Sequence, residues 1–224
     1  RKLPQIAFML PALVLYILLV LVPIGAVAVF SVWRWPGYGE WQVVGVDNYT
    51  ELFGDSVFYR ALAHNLLLAL LSVGLQIPLA LIAAVALQGR GRLCRAVRAL
   101  VFSPMIMPSA VIGIMFMLLL EPMTGPVAAL IDRVGLPPQG LLGDEGQVLM
   151  LMIFAISWRY VGFHMMLLLS GLQAIDPVYY EAAAIDGAGH WQQFRRITLP
   201  ALRGTLLLST LLAVLGSLKY FDLV

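Results

Sequence analysis

Residues 176–200 read DPVYYEAAAIDGAGHWQQFRRITLP, and this stretch decides the architecture of the chain. It holds two short helical patterns split by a glycine. Asp176 is a side-chain acceptor of the kind that caps a helix, and Pro177 follows at the first helical position. The first pattern runs through Tyr179, Tyr180, Glu181 and Ala182-Ala183-Ala184. It is expected to stop at Asp186-Gly187, because glycine enters the left-handed conformation without a Cβ penalty. In the second pattern Trp191, Phe194 and Ile197 recur every three residues, on one helix face, and Pro200 is expected to end it. Arg195 and Arg196 point elsewhere. A hairpin of this size has an apolar side and a charged side, a shape that suits docking into a groove of a soluble partner. The plain alternative is an ordinary amphipathic loop between two membrane helices.

The stretch resembles the EAA signature of the permease subunits of binding-protein-dependent ABC importers. Glu181-Ala182-Ala183 is followed after three residues by Gly187, and after nine more by Ile197, Leu199 and Pro200. The resemblance implies that the loop is the helix through which the permease engages a cytoplasmic ATPase. It assigns that role to Glu181, Ala182, Ala183, Asp186, Gly187, Ala188, Trp191, Phe194, Ile197 and Pro200.

Outward from the hairpin, the chain is apolar. Of its 224 residues 61% are hydrophobic and 12% charged, and the mean hydropathy is +0.92. A soluble domain carries about 25% charged residues, so this chain reads as an integral membrane protein. The fold class expected is an all-α polytopic bundle, forming one transmembrane permease domain over residues 1–224. Five runs are long enough to span a hydrocarbon core of about 30 Å: residues 6–30, 66–87, 100–120, 148–169 and 205–224. Pro11 and Pro23 are expected to kink the first. Its 25 uncharged residues are too many for the core of a secretory signal. Gln76, alone in the second run, reads as a polar contact between helices. Ser103-Pro104 and Pro108-Ser109 break the third. The single cysteine, Cys94, excludes an internal disulfide and reads as inert.

Basic residues set the orientation. Arg1, Lys2, Arg90, Arg92, Arg95 and Arg98 mark the N-terminus and the second connection as cytoplasmic. The connections 31–65 and 121–147 carry more acids than bases and fall outside. Residues 176–200 then lie inside, within reach of an ATPase. The first outer connection is expected to hold a short helix capped by Asp47 or Asn48, then an amphipathic segment through Phe58, Ala61, Leu62 and Asn65 leading into the second span. A short helix is expected at 127–134. The string VGVDNYTELFGDSVFYRALAHN, residues 44–65, is similar to the segment before the second core helix of carbohydrate-type ABC permeases. That favours a sugar or a related polar solute. The resembled family has six core helices, so at least one return helix is expected beyond Val224.

Ionisable groups within spans are costly and face protein or water. Trp158, Arg159, Tyr160 and Phe163 join aromatic faces to a cation in the fourth run, a combination that binds sugars. The alternative is that Arg159 pairs with an acid such as Asp222 and holds the helices together. His164 reads as an interhelical hydrogen-bonding residue. In the fifth run Ser217, Lys219, Tyr220 and Asp222 resemble the path-lining segment of sugar permeases; Lys219 and Asp222 could equally be a pair at the outer helix end.

No nucleophile–base pair, phosphate-binding glycine loop or metal-ligand spacing is present, so no catalytic or metal residue is assigned. Nor is Arg90–Arg98 a nucleic-acid site; beside two spans it reads as a topogenic, lipid-contacting loop. The resemblance places ATP and Mg on a partner. The partners implied are a second, related permease, two ATPase subunits, an extracytoplasmic solute-binding protein and the bilayer. The location implied is a bacterial or archaeal plasma membrane. Permeases for other solutes (a glycerol phosphodiester, an amino sugar, a polyamine), an ion-coupled transporter and a non-transporting membrane scaffold stand as alternatives.

Overall fold

The computed structural model describes residues 3–121, 124–133 and 145–217, with the backbone alone at 3–8 and 145. Lys219, Tyr220 and Asp222 lie outside the described residues. The chain falls into two compact units, 1–62 and 63–224.

In the first unit, α1 (Leu3–Tyr16) and α2 (Val22–Phe30) are joined without interruption by a π-helical turn, Ile17–Leu21. The turn has a local cause. Pro23 has no N–H, and its ring crowds the carbonyl four residues back. Widening the preceding turn to i→i+5 bonding relieves that crowding, and Val22 N–H donates to Ile17 O. Pro11 sits inside α1. A two-stranded antiparallel ribbon follows, β1 (Trp33–Arg34) with β2 (Gln42–Val43), which the sequence pattern does not announce. Trp35 and Trp41 stack at 5.1 Å across its end.

The short helix expected in the first connection is present as α3 (Asp47–Gly54), but its expected cap is not. Val46 is the N-cap residue, with no side-chain hydrogen bond. Asn48 is used elsewhere: its amide donates to Ser31 O at 2.8 Å and Trp33 O at 3.0 Å, and its Oδ1 accepts from Arg34. Arg34 also pairs with Glu51 at 2.6 Å. These bonds pin the ribbon to α3. The cap of the next helix comes from Asp55, whose carboxylate accepts from Val57 N–H at 2.8 Å.

That next helix, α4 (Ser56–Ala86), is 31 residues long and runs on from the amphipathic segment as one piece. Its buried positions, Leu68, Ser72, Gln76, Ala80 and Ala84, recur every fourth residue, a ridge suited to a facing helix. The facing helix is α8 (Glu145–Gln173). Leu68 clusters with Ile153 and Ile156, while Ala80 and Ala84 cluster with Met165, Leu168, Leu169 and Leu172. The two helices therefore run in the same direction.

The third apolar run is not one rod. α5 (Arg92–Phe102) continues as a 3-10 turn, Ser103–Ile106, and then meets α6 (Ser109–Leu119) at 100°. Eleven residues make α6 about 16 Å long. The sharp bend sits at Met107, whose extended conformation (ψ 138°) is what Pro108 imposes on the residue before it, while Pro104 is carried inside the 3-10 turn without breaking the run. α7 (Pro126–Arg133) occupies the predicted short-helix position.

α8 is the organising element of the second unit. Gly162 and Gly171 are nine residues apart, and so on opposite sides of it. A Cβ on Gly162 would overlap the Val101 carbonyl oxygen and lie 2.7 Å from Phe102 Cα. A Cβ on Gly171 would lie 2.7 Å from Thr205 Oγ1. α5 thus seats against one side of α8. On the other lies α12 (Arg203–Ser217), which runs opposite to α8, since Gly171 meets Thr205 and His164 meets Ser209. Met9–Phe30, Ser56–Ala86 and Gly146–Gln173 are each long and apolar enough to cross a membrane, and the two bent pairs raise the number to five.

Candidate functional site: a locked hairpin and the interior it is joined to

The hairpin follows from its local chemistry. α9 (Pro177–Ile185) begins where Asp176 Oδ1 accepts from Val178 N–H at 3.0 Å. It ends in a Schellman closure: Ala188 N–H donates to Ala183 O at 2.9 Å and Gly187 N–H to Ala184 O at 3.0 Å. Gly187 has φ +78°, as a residue in that place must. α10 (His190–Gln193) opens with the Gln192 side chain accepting from Gly189 N–H at 3.1 Å.

Pro200 does not end the second helix, contrary to the sequence expectation. A π turn, Phe194–Thr198, precedes it, and Leu199 N–H donates to Phe194 O. This is the same accommodation as at Pro23, and it carries the helix through α11 (Leu199–Ala201). The chain then bends by 65° into α12. Trp191 and Phe194 stack at 5.6 Å. Phe194 and Ile197 are half-buried while Trp191 is exposed.

Tyr180 Oη, on α9, lies 2.9 Å from Thr198 Oγ1 in the π turn, and Thr198 is buried. This hydroxyl clasp ties the two arms together, and nothing in the spacing of the sequence pairs them. Glu181, Ala182, Asp186 and Pro200 are exposed, and Ala183 and Ala188 are half-buried. The tip is apolar as well as exposed: Ile185 is 87% accessible and Trp191 71%.

In the interior, the residues expected to line a solute path diverge. Arg159 lines a cavity of about 230 Å³ with Ile112, Phe116 and Met152 among its walls. Its Nη2 donates to Met107 O at 3.2 Å, at the bend between α5 and α6, and its guanidinium lies 5.3 Å from the centre of the Tyr160 ring. Trp158 lines a different cavity, of about 320 Å³, with Leu79, Leu100, Val101 and Ser157. It meets Phe116 edge-on at 6.0 Å. Tyr160 packs on the Leu68–Ile153–Ile156 cluster. Phe163 lies edge-on to His164 at 5.2 Å, and His164 Nδ1 is 2.8 Å from Ser209 Oγ. Ser217 is buried and donates to Val214 O at 2.7 Å. No group of three or more metal-ligating side chains occurs among the described residues.

Residues 76–224 match the family described as "Binding-protein-dependent transport system inner membrane component". The chain belongs to this family. The permease is 33% identical over 227 residues to the Bacillus subtilis protein named "Probable ABC transporter permease protein YurN", covering 99% of this chain and 77% of the relative. It is 32% identical to the lactose transport system permease protein LacF of Rhizobium radiobacter, covering 96% of this chain and 72% of that one. Its fold matches a chain in the crystal structure of a bacterial alginate ABC transporter bound to its periplasmic protein, with a TM-score of 0.85 at 24% identity, over 100% of this chain and 76% of the other. The family match spans α8, the hairpin and α12, so the permease carries the locked hairpin within the matched region.

Proposed function

We propose that this permease forms half of the translocation path for a sugar or related polar solute, and that residues 176–200 couple that path to a cytoplasmic ATPase. The observation that carries the coupling role is the hairpin itself. It is capped at its start, closed at Gly187 and clasped by Tyr180 and Thr198. It presents Ile185 and Trp191 outward with little internal packing to satisfy them. A rigid element with an apolar tip transmits a push, whereas a flexible loop would absorb it.

ATP and Mg act on the partner ATPase. Closure of the ATPase dimer moves the hairpin, and the bend at Leu202 passes the movement to α12. Helix α12 packs on α8, so the walls around Arg159 shift together. In this reading the N-terminus and the hairpin are cytoplasmic. The same direction of α4 and α8 supports it, since both would descend from acid-rich outer connections. A sugar as solute is supported by the naming of the lactose-system relative. A solute-binding protein delivers it, and a second, related permease completes the path.

The test is uptake of labelled disaccharides by cells with the chain present, deleted or carrying Ile185→Glu. ATP-dependent uptake lost with the chain, and loss of ATPase co-purification in Ile185→Glu, are the expected results. Uptake driven by an ion gradient without ATP would overturn the reading.

A further inference from the structure

We propose that the crevice between α5 and α8, at Arg95, Arg98, Ala99, Phe102 and Met166, binds one anionic phospholipid. The crevice encloses about 260 Å³. Two arginines, an alanine, a phenylalanine and a methionine line it. Arg98 is held in place: its Nη2 donates to Gly89 O at 2.8 Å and its Nε to Cys94 O at 3.2 Å. Carbonyl oxygens orient the guanidinium without neutralising it. Arg95 is exposed and has no hydrogen-bond or ion-pair partner among the described residues. Residues 88–120 contain no acid at all, so the local charge is uncompensated by sequence neighbours.

The arginines and the apolar lining residues belong together geometrically. Phe102 follows Arg98 by four residues and Arg95 by seven, so all three share one face of α5. Met166 enters from α8, seven residues before Gln173. That places it about 10 Å along the axis from the helix end. On the flank of α5, Leu93 and Leu100 are exposed at 77% and 72%, as suits an apolar surrounding. The volume takes the phosphate and glycerol region, with acyl chains continuing past Phe102 and Met166. Inorganic phosphate would meet the arginines and leave the apolar lining unused. An acidic protein surface would likewise meet the arginines without filling the apolar crevice. A phospholipid uses both, and basic pockets beside membrane helices hold such head groups.

The experiment is native mass spectrometry of the full-length chain, with its co-purifying subunits, titrated with phosphatidylglycerol and separately with phosphatidylcholine. Wild type is expected to retain one phosphatidylglycerol and to ignore phosphatidylcholine. Arg95→Gln should weaken retention about fivefold, the contribution of one arginine near an anionic lipid. Ala99→Trp keeps both arginines and fills the crevice, and should weaken it likewise. Arg92→Gln, outside the crevice, should leave it unchanged. Inorganic phosphate in excess should not displace the lipid, which keeps the test decisive if the tryptophan variant fails to fold. Equal weakening by Arg92→Gln would mean diffuse attraction and overturn the site. Displacement by phosphate would overturn the lipid as occupant. Unchanged lipid retention with loss of another subunit in Arg95→Gln would reassign the arginines to a protein contact.

Discussion

Tyr180 and Thr198, eighteen residues apart, share a hydrogen bond of 2.9 Å between their hydroxyls, and it joins the two arms of the hairpin. One arm is an ordinary α-helix. The other owes the position of Thr198 to a π turn forced by Pro200. Tyr180→Phe should cost about 1 kcal/mol, the net worth of a typical hydrogen bond. Hydrogen exchange over 177–201 should speed up while the rest of the chain is unchanged. Adding Thr198→Val should cost little more, since a double-mutant cycle isolates the shared term. Additive losses would mean that the two hydroxyls do not act as a pair.

Gly187 has open space around its Cα, and a methyl group placed on it would meet nothing within 4 Å. Any cost of substitution there is therefore backbone cost alone, about 1–2 kcal/mol for a residue forced to positive φ. The expected order of stability is Gly, then Asn, then Ala, then Val, because asparagine tolerates the left-handed region best among the three. Thermal unfolding of the purified variants checks the order. Uptake should fall in the same order if the closure is what keeps the lever stiff.

Gly162 and Gly171 both admit a neighbouring helix to α8, yet they should respond differently to alanine. At Gly162 the obstruction is backbone, the Val101 carbonyl and Phe102 Cα. At Gly171 it is the side chains of Thr205 and Leu202, which can rotate. Gly162→Ala should destabilise by at least the 1–3 kcal/mol typical of overpacking, and Gly171→Ala by less. Melting temperatures in detergent decide it, and equal shifts would contradict the contrast.

Arg159 donates to the Met107 carbonyl at the bend between α5 and α6. Non-helical backbone in a membrane protein is tolerated where protein satisfies it. Arg159→Leu should leave that carbonyl without its partner, at a cost of about 1–3 kcal/mol. Exchange at 107–112 should rise. Unchanged exchange there, with a higher KM for uptake, would instead assign the guanidinium to the solute.

The sequence alone determined the features whose causes lie within a few residues. Asp176 caps α9 because its carboxylate reaches an N–H two positions on. Gly187 closes α9 because it lacks a Cβ, and the short helix at 126–133 falls within one residue of the expected 127–134. The membrane class and the hairpin motif were equally legible, since composition and spacing are properties of the string. The matched family spans that same motif.

Tertiary structure decided what depends on partners far along the chain. Asn48 has the residue type of a cap, but carbonyls at 31 and 33 and the guanidinium of Arg34 compete for it and win. Pro200 carries a stop signal in sequence, but Thr198 and Leu202 on either side of it are buried, Leu202 among Met165, Leu168 and Leu169, and the turn widens rather than breaks. Trp158 and Arg159 are neighbours in sequence and face separate cavities, because successive residues on a helix point about 100° apart. Gly162 gives no local sign of its role: only the approach of Val101 and Phe102, some sixty residues earlier in the chain, makes the missing side chain a requirement.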